Sequence, residues 1–192
     1  MAILIIGLIV FIGVHLVPTL RPQRGALIGK LGEGGYKGLF SLVSLLGLVL
    51  IVWGYGQYRA SGYIPVWEPP RGMNHLALTL MWFSFVALAA AYSPNGKIKG
   101  MLKHPMLVAV KIWALAHLLS NGDLGSIILF VSLLAYAVYD RIAVKKRGDT
   151  GAPPAPFGKG DIIALAVGSV AWVAMIFLHP YIIGVPIFTM RA

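Results

Sequence analysis

Apolar residues in this chain come in runs of about 20, one after another, divided by short stretches that hold Pro, Gly and charged residues. Runs of that length suit helices that cross a bilayer, where every backbone polar group must be satisfied within the segment. The pattern predicts six helices: Ala2 to Leu20, Tyr36 to Tyr58, Asn74 to Tyr92, Pro105 to Ser120, Leu124 to Val144 and Asp161 to Ile183. The Pro- and Gly-rich stretch RGDTGAPPAPFGK, Arg147 to Lys159, reads as a flexible loop. No internal repeat is visible. The expected fold class is all-α, a polytopic transmembrane helical bundle of about six helices forming one domain.

The segment KHPMLVAVKIWALAHLLSNGD, Lys103 to Asp123, is apolar yet carries His104, Lys111 and His117. Ionisable groups inside a membrane are costly, so each is read as functional by default. His104-Pro105 opens the helix, since Pro is tolerated where its missing N–H has no partner. Asn121-Gly122-Asp123 closes it with turn residues. His104 and Lys111 are seven apart and share a face, whereas His117 lies roughly 140° from His104 around a 3.6-residue helix. Polar groups on two sides place this helix in the middle of a bundle.

Composition agrees with the pattern. Of 192 residues, 58% are hydrophobic and 11% charged, outside the range of soluble domains. The absence of cysteine excludes disulfides, thiolate metal sites and cysteine nucleophiles. The net charge of +10 is read as topology and not as nucleic-acid binding. Arg21, Arg24, Lys30, Lys37, Lys97, Lys99, Lys103, Arg141, Lys145, Lys146, Arg147 and Lys159 fall on one side, and only Arg59, Arg71 and Arg191 on the other. The rule that Lys and Arg stay cytoplasmic then puts both termini outside. The first helix lacks the charged start and cleavage site of a signal peptide and is expected to be retained.

These directions give each histidine a depth. His15 and His104 lie toward the cytoplasmic side, and His75, His117 and His179 toward the outer face. A histidine bonded to a neighbouring helix is the bland reading for each. The sharper reading is haem, because an apolar macrocycle suits a helical bundle and neutral imidazole ligates its iron. Zinc is disfavoured: no carboxylate or Cys accompanies the histidines, and no HxxxH spacing occurs. Two axial ligands must meet at one height, and His15 and His117 should differ by roughly 15–20 Å at 1.5 Å per residue. His15 with His104, or His117 with His75 or His179, are the easier pairs. Arg21, Arg24 and Lys103 are within reach of the propionates of a cytoplasmic-side haem.

Lys111 lies near mid-bilayer and should face a cavity, a carbonyl or an anion. The tryptophans and most tyrosines read as interface belts and packing. Gly32 to Gly38, GEGGYKG, follows no strand and lacks GK[ST], so it is read as a tight entry into the second helix. No Ser-His-Asp set or carboxylate pair is visible.

Several blocks together carry a resemblance: His15-Leu16-Val17-Pro18, LRPQRGALIGKLGEGGYKGLFSLVSLLGL, KHPMLVAVKIWALAHLLSNGD and LAYAVYDR. On these the sequence resembles the NnrU family of bacterial inner-membrane proteins, which are associated with denitrification and nitric oxide metabolism. It is also distantly similar to 15-cis-zeta-carotene isomerase, a haem b membrane enzyme. His15, His104 and Ala116-His117 match that relative's histidine motifs. Its histidines on the next helix are replaced here by Ala135-Tyr136-Ala137. The resemblance therefore implies haem b with His15 as a metal ligand, and at the missing position another residue, such as His104 or Tyr136, or none; depth makes His104 the preferred partner of His15, with Tyr136 as the runner-up. Three functions stay open: a haem protein with redox or isomerase-like chemistry, a non-catalytic accessory or assembly protein, and a small transporter around Lys111 and His117. The expected partners are the lipid bilayer and either a redox partner or a membrane enzyme; the small-molecule substrate stays open.

Overall fold

A computed structural model describes residues 1–187; Arg191, counted above on the outer side, and Ala192 lie outside the described residues. Its helices are α1 (Ala2–Leu16), α2 (Arg21–Ala60), α3 (Met73–Tyr92), α4 (Lys97–Leu102), α5 (Pro105–Ser120), α6 (Leu124–Lys146) and α7 (Lys159–Ile183), with a 3-10 turn at Val17–Thr19 after α1. Among the described residues no strand forms; Pro65 and Asp123 meet in an isolated bridge. Five helices are long and apolar enough to cross a membrane, and α5 is a shorter apolar helix. The chain is an all-helical, polytopic membrane protein.

The six predicted helices are present, with two departures. Arg21 to Leu31, expected as a loop, is helical, and the break into the apolar run comes at Gly32, with φ 71° and ψ 166°. A side chain is strained at such a φ, so glycine suits the break. The Gly-rich run thus does turn the chain, but between two helical stretches. The second departure is α4, which lies in the expected loop before His104.

Backbone contacts divide the chain into two compact units. The first holds Met1–Glu68 and Asn121–Gly148. Within it α1 and α2 run antiparallel at close range across glycines. A Cβ on Gly7 would lie 2.6 Å from the Ile51 amide nitrogen, and one on Gly47 would lie 2.8 Å from that of Phe11. Small residues at such contacts let helix backbones approach in a membrane, where lipid is as apolar as the packed side chains. At the far end Ile64 N–H donates to the buried Tyr58 hydroxyl at 2.9 Å. Asp123 caps α6, accepting from Ser126 N–H at 3.0 Å and from its hydroxyl at 2.6 Å.

The second unit holds Pro69–Ser120 and the described residues from Asp149 onward. Here α3 packs against α5 and α7. Ser84 donates to the Ala109 carbonyl of α5 at 2.8 Å, and Trp82 donates to Ser169 of α7 at 2.9 Å. Trp172 donates to the Leu78 carbonyl at 3.1 Å. These two tryptophans therefore serve helix packing. The buried Asp161 carboxylate accepts from Lys97, Ile98 and Gly158 N–H at 3.0, 2.7 and 2.8 Å. It ties the start of α4 to the start of α7. Lys99 Nζ caps α3 by donating to the carbonyls of Ala91 and Ser93. The loop expected to be flexible is tied down: Ala152 N–H donates to Lys103 O at 2.9 Å, and Asn95 donates to Pro153 O.

Candidate functional site

The best-formed arrangement of candidate residues lies in the first unit, at the end carrying Arg21, Arg24, Arg141 and Arg147. His15 sits in the last turn of α1, one residue from its end, and is half-buried. Its Nδ1 lies 2.7 Å from the Phe11 carbonyl. A carbonyl only accepts, so Nδ1 carries a proton, and in the neutral tautomer that this bond selects the lone pair lies on Nε2. That is the arrangement in which a histidine ligates a metal through Nε2 while its other nitrogen is oriented by a carbonyl.

Aromatic rings enclose the imidazole. Phe11 lies 4.2 Å from it between ring centres, Phe40 5.1 Å and Tyr136 5.9 Å. Tyr36 continues the row, 6.2 Å from Phe40, and the Arg24 guanidinium lies 5.6 Å from the Tyr36 ring centre. Tyr36 is buried and its hydroxyl has no hydrogen-bond partner among the described residues. Such a group is costly to leave unmet. Arg21 starts α2 and is exposed.

Tyr136 approaches differently from the expectation of an axial ligand. Its hydroxyl donates to the backbone carbonyl of His15 at 3.2 Å. A phenol so engaged would have to give up that bond before its oxygen could ligate a metal.

The other candidates belong to the second unit. His104 precedes α5, its carbonyl accepting from Val108 N–H at 3.2 Å. The side chain is only 13% exposed, and Nε2 is buried without a hydrogen bond among the described residues, 4.0 Å from Asp149 Oδ1. Just before it, His104 N–H bonds back to Leu102 O at 2.6 Å, with Lys103 at φ 60° and ψ −52°. That is a γ-turn with positive φ, strained at a residue other than glycine. His117 Nδ1 donates to Trp113 O at 2.8 Å, and His179 lies within its electrostatic range. His179 donates to Val185 O at 2.6 Å, and His75 is exposed. No group of three metal-ligating side chains occurs among the described residues. Lys111 is half-buried.

Thus His15, Tyr136 and Arg24 share one unit, while His104, Lys111 and His117 share the other. Sequence reasoning missed the roles of Phe11 and Phe40. Phe11 was detectable as the residue one turn before His15, but Phe40 meets the ring only through the pairing of α1 with α2. It also missed Asp161, two of whose three partners are more than 60 positions away.

A family model described as NnrU protein matches residues 3–187. The chain belongs to the NnrU family. No curated protein and no solved structure matches it. The match spans both units of this NnrU-family chain, so His15, Tyr136, His104, Lys111 and His117 all fall inside the family's extent.

Proposed function

We propose that this NnrU-family chain is an integral bacterial inner-membrane protein that binds haem b through His15. The observation that carries the reading is the His15 imidazole, held by Phe11 O so that Nε2 presents a lone pair among aromatic rings. The residues present fit the group. The imidazole suits iron, the rings suit an apolar macrocycle, and the unpartnered Tyr36 hydroxyl and the Arg24 guanidinium suit its carboxylates. Arg21 would join Arg24 in pairing with propionates. Tyr136 would have to give up its bond to His15 to reach iron, so the reading assigns ligation to His15 and not to Tyr136. When bound, the haem would supply one-electron or isomerase-like chemistry. The protein's share is to orient the imidazole, exclude water and neutralise the propionates. The resemblance to NnrU-like proteins supports a role in denitrification or nitric oxide metabolism.

The absorbance spectrum of detergent-purified protein tests this. A Soret band is expected, and His15→Ala should lose it or convert a low-spin spectrum to high-spin. His117→Ala, in the other unit, should leave it nearly unchanged. Full haem occupancy with an unaltered spectrum in His15→Ala would overturn the assignment. A second reading, a non-catalytic accessory protein, is supported by the exposed Lys30, Lys145 and Lys146. Partner capture in the absence of any Soret band would favour it.

A further inference from the structure

The segment that leaves α2 exposes Tyr63, Ile64, Val66 and Trp67, at 57%, 52%, 57% and 38%. Between Arg59 and Glu68 it holds no charged residue. An exposed apolar group of this kind marks a contact surface.

The backbone of the segment is equipped to leave water. Ile64 N–H donates to the Tyr58 hydroxyl at 2.9 Å, and Val66 and Trp67 N–H both donate to the Gly122 carbonyl, at 2.8 and 3.0 Å. Pro65 has no N–H, so every backbone donor from residue 64 to residue 67 is met within the first unit. The Ile64 carbonyl accepts from Leu124 N–H at 2.9 Å. Away from water an unmet donor is costly, whereas water itself would have met these groups.

The segment also begins where a lipid-facing strip ends. α2 exposes Leu45, Leu48, Val49 and Val52, which share one face at 3.6 residues per turn. This helix is long and apolar enough to cross a membrane, so the strip faces acyl chains. Arg59 follows Val52 by seven residues on that face, and its guanidinium lies 5.7 Å from the Tyr63 ring centre and 6.0 Å from that of Tyr55. Leu124, which bonds to Ile64, is the first residue of α6, another helix of membrane-crossing length. The segment is thus held at two helix ends, the level at which Trp and Tyr favour the headgroup boundary.

We propose that residues 63–67 form an interfacial anchor that contacts membrane lipid, with the Ile64 and Val66 side chains among the acyl chains just beneath the headgroups. The anchor does not depend on haem.

The chain has no cysteine, so a single introduced one carries a nitroxide label without background. Ile64→Cys and Val66→Cys are made in the full chain, labelled and reconstituted into vesicles of phosphatidylcholine and phosphatidylglycerol. Val52→Cys on the α2 strip and Thr150→Cys in an exposed loop set the lipid and water limits. Electron paramagnetic resonance reads the label's collisions with oxygen, which concentrates in lipid, and with a water-soluble nickel chelate. The oxygen-to-nickel ratio at positions 64 and 66 is expected to shift away from that at position 150 and to lie nearer that at position 52. A ratio nearer that at position 150, at either site, overturns the proposal. Low collision rates with both reagents at either site would mean that protein covers the segment, as in contact with a second copy, and would overturn it too. If one variant does not fold, the other decides. If neither folds, the unmodified protein decides: a phosphatidylcholine with a photoactivatable group in its acyl chain should label the tryptic peptide 60–71, released by cleavage after Arg59 and Arg71, and an unlabelled peptide overturns the proposal.

Discussion

The phenol of Tyr136 in α6 donates to the backbone carbonyl of His15 in α1 at 3.2 Å, while their rings meet edge-on with centres 5.9 Å apart. This bond spans two helices 121 positions apart and helps fix α6 against the end of α1. It also uses the oxygen through which a tyrosine would ligate iron. Tyr136→Phe should therefore keep the ring contact and lose one hydrogen bond, about 1 kcal/mol of stability. Thermal unfolding in detergent measures the first consequence. If haem is bound as proposed, the absorbance spectrum of the same sample measures the second, and it should be unchanged in position. A shifted spectrum would mean that Tyr136 ligates iron after all.

The contact between α1 and α2 rests on glycine. A Cβ on Gly47 would lie 2.8 Å from the Phe11 backbone nitrogen, a distance real Cβ atoms essentially never adopt. Because the obstacle is backbone, α1 and α2 must move apart. Gly47→Ala should cost about 1–3 kcal/mol, the range for overpacking. Gly56, on the same helix, is the control, because an added methyl there would meet nothing within 4 Å. Gly56→Ala should stay within about 0.5 kcal/mol of wild type. Equal melting temperatures for the two variants would show that this contact does not hold the unit.

The six apolar helices were legible in the sequence because a membrane segment must be long, apolar and internally bonded. Asn121-Gly122-Asp123 was legible as a turn because its chemistry is local: Asp123 caps the helix it precedes. Arg21 to Leu31 was not legible, since charged and Gly-containing residues read as a loop when no apolar run marks them. Nor was α4, a helix of six residues held by a carboxylate 63 to 64 positions away. The interleaving of two units has the same cause. It is set by which helices meet, and apolar runs of similar composition do not encode their partners. In the candidate site, His15 was visible as an imidazole within an apolar helix. Its tautomer and its aromatic surround depend on pairings across helices.

Asp161 shows what such a distant contact implies. Asparagine at that position keeps one acceptor oxygen but loses the charge and the second oxygen, and alanine loses all three bonds to Lys97, Ile98 and Gly158. Melting temperature should fall in the order wild type, Asp161→Asn, Asp161→Ala. Hydrogen exchange at the Lys97 and Ile98 amides should rise in step, because their acceptor is lost. Unchanged protection of those amides in Asp161→Ala would show that α4 is held by something else.

The sided distribution of Lys and Arg, twelve of which fall on one side of the predicted spans, predicts an orientation with both termini outside the cytoplasm. Reporter fusions after Ala192 and within the Arg147–Lys159 loop separate the two orientations. A periplasm-active reporter should work at Ala192, and a cytoplasm-active one in the loop. Cytoplasmic activity at Ala192 would reverse the assignment.

Lys111 is the remaining charge in the apolar segments. It is half-buried on α5 and makes no hydrogen bond or ion pair among the described residues. At mid-depth a lysine facing lipid would cost about 2.5–3.5 kcal/mol on insertion scales, so removing it should not hinder insertion. Lys111→Leu is therefore expected to reach the membrane in at least wild-type amount. If the ammonium serves a ligand or a proton path, the same variant should lose activity, while Lys111→Arg keeps the charge and part of the function. Two measurements on the same membranes separate these effects: protein amount by immunoblot and, as a probe of the proposed role in nitric oxide metabolism, nitric oxide consumption per unit of protein. Wild-type consumption in Lys111→Leu would leave the lysine a structural bystander, and loss in proportion to protein amount would make its role one of assembly.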